Sequence, residues 1–212
     1  TSRRTLKLTT FPAFAQGWLV RRIDAFLRRH DDIELELDAT PHLVNLKTGA
    51  ADVAIRYGKG DWEGLESTLL MPEYVEAVCS PDFRRRHGGL REPKDLAEVP
   101  LLRHTVLKWT PWFRSGGLDW PEPARGPKYN DGSVMLEAAA DGQGVALARS
   151  VMLEPYLASG RIESPFNVKV LSDFAYYLVY PRAVRSRSEV VAFIDWITTE
   201  AKQDTAQAPK AG

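Results

Sequence analysis

Residues 33–56 read IELELDATPHLVNLKTGAADVAIR and give the clearest indication of the fold class. Apolar and charged residues alternate over Ile33–Ala39, which predicts a strand with one buried face. A short helical segment follows at residues 43–48 and ends at Gly49, a common helix stop. Residues 52–56 form a second, more buried strand. Strand, helix and strand in this order predict parallel strands joined by a crossover helix.

The residues before this stretch add one more strand and helix. Leu6 and Leu8 alternate with polar residues, and Phe11-Pro12 ends that strand, because proline favours the first turn of a helix. Apolar residues then recur at helical spacing to about residue 30. The first 56 residues therefore predict β-α-β-α-β.

A second α/β unit is predicted after residue 80, where the composition shifts to Arg, Gly and Pro. Pro72 separates two extended stretches, at 65–71 and 74–80. Further strands are expected near 101–102, 128–130, 144–148 and 175–180, with an extended stretch at 162–171. Helices are expected near 109–115, 133–141, 152–158 and 190–197. The polar tail after residue 202 is predicted to be disordered.

The bulk composition argues against several classes of protein. The 212 residues carry 28 basic and 28 acidic side chains, which is a poor signature for nucleic-acid binding by this chain itself. One cysteine, Cys79, cannot form an internal disulfide. No apolar run approaches the roughly 20 residues that cross a bilayer, and the chain enters a strand pattern without an apolar leader. A cytoplasmic location without membrane contact is therefore expected.

Several motifs, taken in order, resemble the effector-binding domain of LysR-type transcriptional regulators. They are DVAIRYGKGDW at 52–62, VCSP at 78–81, DGSVMLEAAADGQGVALA at 131–148, YYLVYP at 176–181 and FIDW at 193–196. The chain is most similar to the subgroup that contains the glycine-cleavage and β-lactamase-inducing regulators. The similarity extends from residue 6 to about residue 201.

The resemblance implies a two-lobed α/β fold like that of type 2 periplasmic binding proteins, with two crossover segments and a ligand cleft between the lobes. Lobe I would comprise residues 1–77 and 168–202, and lobe II residues 78–167. The resemblance also implies a DNA-binding winged helix-turn-helix that is absent from this chain, and a homodimer or homotetramer. The expected effector is an amino acid, a small carboxylate or a cell-wall peptide.

Candidate ligand-binding residues in lobe I lie at the ends of strands. Thr10 could donate to an anionic ligand at the helix start, or it could only cap the helix. Arg56 ends a buried strand and could bind a ligand carboxylate or pair with an internal acid such as Asp52 or Asp61. The remaining candidates are pocket-wall residues that could equally be structural: Phe11, Phe14, Thr40, Tyr57 and, on the returning strand, Tyr177.

The candidates in lobe II are His104, Asp131 and Ser133. Asp131 and Ser133 precede a helix, where capping is the default interpretation, although an acid there could also receive a ligand ammonium group. His104 follows a predicted strand, and a lone histidine is more often structural than functional.

Catalysis is not expected. Cys79 lies in a predicted buried strand, where thiols are usually inert, and the four histidines lack zinc-ligand spacing. No cofactor or metal is expected. The main alternative to a regulator is a periplasmic solute-binding protein, which would share the fold and the ligand chemistry.

Overall fold

The computed structural model describes residues 3–207, which fall into two compact units. Unit 1 runs to Glu73 and resumes at Ser172, and unit 2 is Tyr74–Leu171. The chain therefore passes between the units twice. Sequence reasoning predicted boundaries nearby, at 77/78 and 167/168.

The described residues contain eight strands and seven α-helices. The strands are β1 (Arg4–Thr10), β2 (Ile33–Ala39), β3 (Val53–Gly58), β4 (Glu66–Val78), β5 (Arg103–His104), β6 (Lys128–Tyr129), β7 (Ala146–Arg149) and β8 (Lys169–Tyr180). The helices are α1 (Pro12–Phe14), α2 (Ile23–Arg29), α3 (Pro81–Arg86), α4 (Trp109–Ser115), α5 (Gly132–Ala140), α6 (Ser150–Ala158) and α7 (Ser188–Gln207). A π-helical segment at Ala15–Leu19 continues α1, and short 3-10 segments lie at Leu46–Thr48, Pro93–Glu98 and Arg182–Val184.

Unit 1 is organised around parallel strands, as predicted. β1 pairs in parallel with β2 and with β3, so Thr10 lies opposite both Ala39 and Ile55. β8 then runs antiparallel to β3. Because β1, β2 and β3 are parallel, their carboxyl ends meet at one edge of the sheet. Thr10, Thr40 and Arg56 all lie at or next to that edge.

Unit 2 has its own apolar core. The last residues of β4 pair antiparallel with β7, with Val75 opposite Arg149 and Val78 opposite Ala146, and β5 pairs in parallel with β6. The core between these elements is strongly aromatic, because α4 buries Trp109, Trp112 and Phe113. Burial of such large rings supplies much of the stability of a unit of this size.

The continuity of the chain differs from the prediction in two places. Pro72 was expected to separate two extended stretches, but it lies inside β4. The fixed φ of proline suits an extended chain, so Pro72 removes one N–H donor without ending the strand. The predicted helix from residue 12 to about 30 is instead divided into α1, the π-helical segment and α2, with a turn at residues 20–22.

The predicted disorder after residue 202 is wrong for residues 203–207, which continue α7. Asp204 fixes this part of the helix, because it accepts a hydrogen bond from the indole Nε1 of Trp18 and forms an ion pair of 2.8 Å with Arg22. The rest of the predicted tail, 208–212, lies outside the described residues.

Within residues 3–207, no helix combines the length and apolar character needed to cross a bilayer.

Candidate functional site

A small pocket opens at the carboxyl edge of the unit 1 sheet. The space inside it is about 210 Å³ when the open mouth is counted, and its enclosed part has room for roughly one water molecule. The residues that line it are Thr9, Thr10, Phe11, Thr40, His42, Leu43, Val44, Ala54, Ile55 and Arg56. The structure therefore brings together four of the predicted ligand-binding residues: Thr10, Phe11, Thr40 and Arg56.

Thr10 supplies an unused hydrogen-bonding group to this pocket. Its side chain is only 3% exposed, and the hydroxyl Oγ1 has no hydrogen-bond partner among the described residues. Its backbone carbonyl, by contrast, accepts a hydrogen bond of 2.9 Å from the amide of Thr40. The hydroxyl caps no helix, since α1 begins after Phe11 without a side-chain cap. A buried, unpaired hydroxyl costs free energy, which a ligand acceptor could recover.

Arg56 supplies a buried positive charge. Its residue is 8% exposed, and Nη2 donates a hydrogen bond of 2.7 Å to the carbonyl of Val44. The guanidinium also lies over the ring of Trp62, with 6.0 Å to the ring centroid. Among residues 3–207, no carboxylate lies within ion-pair distance of Arg56. Burial lowers the pKa of this guanidinium below its ordinary value, because desolvation disfavours the charged form.

Asp52 was considered a possible internal partner of Arg56, but it is engaged elsewhere. Its carboxylate accepts a hydrogen bond of 2.9 Å from the backbone amide of Lys7 and pairs with Arg187 at 2.5 Å. Arg187 also pairs with Glu189. Of the two alternatives for Arg56, the internal ion pair is therefore not formed among the described residues, and contact with a ligand stays a prediction.

Three candidates of unit 1 lie outside the lining of this pocket. Phe14 is fully buried in the core, with its ring centroid 5.2 Å from that of Trp18 and 5.1 Å from that of Tyr176.

The two tyrosine candidates are engaged with other side chains. The Tyr57 hydroxyl shares a hydrogen bond of 2.5 Å with the Ser172 hydroxyl. Tyr177 packs edge-on against Trp62 at 5.5 Å, and its hydroxyl donates to the Lys59 carbonyl. Each of these side chains has a structural role.

The unit 2 candidates are also held by local hydrogen bonds. Asp131 caps α5, because its Oδ1 accepts from the amides of Ser133 and Val134 and from the Ser133 hydroxyl. These bonds hold the pKa of the Asp131 carboxyl below its ordinary value.

His104 accepts hydrogen bonds at Nδ1 from the amides of Val106 and Leu107, and burial lowers the pKa of its imidazole. Contact of these unit 2 candidates with an effector stays a prediction.

The cap at Asp131 gives a testable stability effect. Asp131→Ala is expected to lower the free energy of unfolding by about 1 kcal/mol, because two amides of the first turn of α5 lose their acceptor. The folded pKa is depressed, so this contribution is complete above the unfolded pKa, about 3.9, and disappears as pH falls through the lower folded pKa. Urea unfolding at pH 7 and pH 3 measures both. The exposed Asp119→Ala is the control, and an equal loss in the two variants would contradict the cap.

The sequence of this chain matches a known protein family. Residues 1–202 match the LysR substrate-binding domain. The chain belongs to this family. The effector domain of the transcriptional regulator AmpR of Pseudomonas aeruginosa is similar in structure, with a TM-score of 0.81 and 32% identity over 95% of this chain and 97% of that one. The regulatory domain of CrgA from Neisseria meningitidis, 18% identical with a TM-score of 0.76 over 94% of this chain and 99% of that one, has the same fold.

Curated relatives of this LysR substrate-binding domain are longer proteins. The glycine cleavage system transcriptional activator of Escherichia coli K12 is 34% identical over 94% of this chain, and the HTH-type transcriptional activator AmpR of Rhodobacter capsulatus is 34% identical over 93%. The chain spans 66% and 67% of their lengths, respectively. These relatives confirm the subgroup resemblance, and they are transcriptional regulators rather than transporter proteins.

Sequence reasoning left out part of the pocket in this LysR substrate-binding domain. Thr9, His42, Leu43 and Val44 line it but were not among the candidates. Three of them lie directly after β2, in the loop that follows Thr40. The signal was available, since a loop after a parallel strand lies at the same edge as the ends of its neighbours.

Proposed function

We propose that the unit 1 pocket binds the carboxylate of a small effector and that this chain is the sensing part of a longer transcriptional regulator. The observation that carries the proposal is the presence of two donors in one pocket: the buried, unpartnered Thr10 hydroxyl and the Arg56 guanidinium, which has no carboxylate partner in the described part of the chain. A carboxylate accepts from both kinds of donor.

The size of the pocket supports a single anionic group as the part of the effector that enters it. Its space of about 210 Å³ includes open solvent at the mouth, and the enclosed part has room for roughly one water molecule, so the pocket does not enclose a whole ligand. Leu43, which is largely exposed, lies at the lining and offers apolar contact near the mouth. Amino acids, small carboxylates and cell-wall peptides all carry a suitable carboxylate.

The relatives support the regulatory part of the proposal. They are named as transcriptional activators, and about a third of their length has no counterpart in this chain. That remaining third would contact DNA, and the protein would act in the cytoplasm as a homodimer or homotetramer. Effector binding would then shift the population between two conformations by its difference in affinity for them.

Catalysis and solute transport are less well supported. The described residues include no cluster of three or more His, Cys, Asp and Glu side chains that could hold a metal ion. Burial raises the pKa of the Cys79 thiol to about 12, so the thiol is a poor nucleophile at neutral pH. The similarity to transcriptional regulators favours sensing over delivery to a transporter.

Thr10→Val tests the proposal, because it removes the hydroxyl and preserves the shape of the side chain. The effector is first selected by calorimetry from a panel of amino acids, acetate, succinate and muropeptides. The variant is expected to bind it about tenfold more weakly, since a hydrogen bond to a charged group contributes roughly 1.5–3 kcal/mol. The free variant should be as stable as the parent or more stable, because a buried unsatisfied hydroxyl has been removed.

The control is Thr199→Val, an exposed position on α7 outside the pocket. It should leave the affinity unchanged. Unchanged affinity in Thr10→Val, for every ligand that binds the parent, would place the effector site elsewhere.

A further inference from the structure

Unit 2 contains a second cavity, which the proposed function does not use. Its volume is about 530 Å³, within the roughly 300–1,000 Å³ that is typical of small-molecule sites. It is largely open to solvent, and two chain segments bound it: residues 96–101, of which all but Glu98 line it, and residues 120–126, together with Phe113 of α4. By the same measure the unit 1 pocket is far smaller, about 10 Å³.

The inner surface of this cavity is apolar and aromatic. Leu96 and Phe113 are each 1% exposed and belong to the unit 2 core, against which Val99, Leu101 and Trp120 pack. The Phe113 and Trp120 rings meet edge-to-face at 5.3 Å. Such a surface favours a flat or branched apolar group over a polar one.

The outer wall, residues 120–126, has little regular secondary structure, yet specific hydrogen bonds hold it. The Arg103 guanidinium donates to the Gly126 carbonyl at 2.8 and 3.0 Å, and more weakly to the carbonyls of Pro123 and Ala124. Gly126 has a φ of +106°, and a Cβ there would lie 2.5 Å from the Leu101 carbonyl oxygen. Since glycine permits this close approach, the wall is pre-formed and need not be ordered by the ligand.

The charge at the cavity favours an anion. Glu122 is the one acidic residue among its lining residues, and both carboxylate oxygens are used: Oε1 accepts from the Trp109 amide, and Oε2 accepts from the amide and hydroxyl of Thr110. Arg125 is exposed in the same wall, and no described carboxylate lies within 4.0 Å of its guanidinium. Arg125 is therefore the charged group of the lining that remains available to pair with a ligand, and it favours an anion.

We propose that this cavity is a second ligand site, which takes a small apolar carboxylic acid. The apolar body lies against Phe113 and Trp120, and the carboxylate pairs with Arg125. The site acts independently of the carboxylate pocket in unit 1, with which it shares no lining residue.

Binding of 3-phenylpropionate, followed by NMR of the tryptophan indole N–H groups, tests this site. The chain has six tryptophans, of which Trp120 lines the cavity, whereas Trp62 lies under Arg56 in unit 1. The Trp120 signal is expected to shift with a millimolar or lower dissociation constant.

The charge variants test the role of Arg125. Arg125→Gln should weaken binding about threefold, because exposed ion pairs contribute little. Arg114→Gln on α4 is the control and should leave the affinity unchanged. The neutral amide, 3-phenylpropionamide, should bind the parent about as weakly as the acid binds Arg125→Gln.

Ala97→Trp provides the stronger test, since it places a large ring at an exposed lining position. It should abolish the Trp120 shift at the same ligand concentrations, whereas Ala158→Trp, exposed on α6, should retain it. Ala124→Trp, in the other bounding segment, repeats the test independently. The proposal is overturned if 3-phenylpropionate leaves Trp120 unmoved, if it moves only Trp62, or if binding survives both blocking variants.

Discussion

Arg56→Gln is expected to lower the affinity for a carboxylate effector about a hundredfold. Truncation of one partner in a buried, hydrogen-bonded charge pair typically costs 2–5 kcal/mol, and about 2.7 kcal/mol corresponds to a hundredfold change. Arg56 is largely buried and has no other anionic partner in the described chain, so the effector carboxylate would meet its full charge. Isothermal titration calorimetry with the effector selected for the parent measures the change.

The free protein should respond differently to this substitution. Arg56 donates to the neutral Val44 carbonyl, and burial disfavours its charged form. Glutamine retains a donor for that carbonyl without the buried charge, so urea unfolding of Arg56→Gln should show little loss of stability. A loss of affinity together with retained stability indicates a binding role.

Arg22→Gln is a matched control for this experiment. Arg22 is half-buried and, like Arg56, lies over a tryptophan, with 4.7 Å to the ring of Trp18, but it pairs with Asp204 and does not line the pocket. It should lower stability and leave effector affinity unchanged. If both arginine variants weakened binding equally, a general loss of positive charge would explain the result and Arg56 would have no specific role.

The largest stability effect is expected at Trp109 in unit 2. Trp109→Ala should lower the free energy of unfolding by about 4 kcal/mol, as is typical of a fully buried tryptophan replaced by alanine. Its side chain is 0% exposed, stacks on Phe113 at 5.3 Å and meets Trp112 edge-to-face. The indole Nε1 also donates to the Leu102 carbonyl at 2.9 Å, which would lose its partner.

Urea unfolding followed by circular dichroism measures the Trp109 effect, and Trp62→Ala is the comparison. Trp62 is half-buried at the edge of a smaller cluster and should cost distinctly less. A loss below about 1 kcal/mol at Trp109 would contradict the aromatic core of unit 2, because a site that collapses so easily cannot be close-packed.

The fold was predictable where the sequence carries a strong periodic signal. The alternation over Ile33–Ala39 and the buried strand at β3 identified parallel pairing, and the motifs at 131–148 identified the family. Breaks in the chain were less predictable. Pro72 continues a strand and residues 203–207 continue α7, because tertiary contacts such as that between Trp18 and Asp204 override local preference.

The candidate site was predictable only in part. Strand ends pointed to Thr10, Thr40 and Arg56, which share one pocket. The partner of Arg56 was not predictable, because Asp52 is four residues away in sequence yet pairs with Arg187 from a distant segment. The unit 2 cavity was not predicted either, since its wall depends on hydrogen bonds from Arg103 to an irregular segment.

A crystal structure of this chain with its selected effector is the most direct test of the account. We predict that a carboxylate oxygen of the bound molecule lies within about 3.2 Å of both the Thr10 hydroxyl and the Arg56 guanidinium. An effector whose acidic group contacts neither side chain would contradict the proposed sensing site.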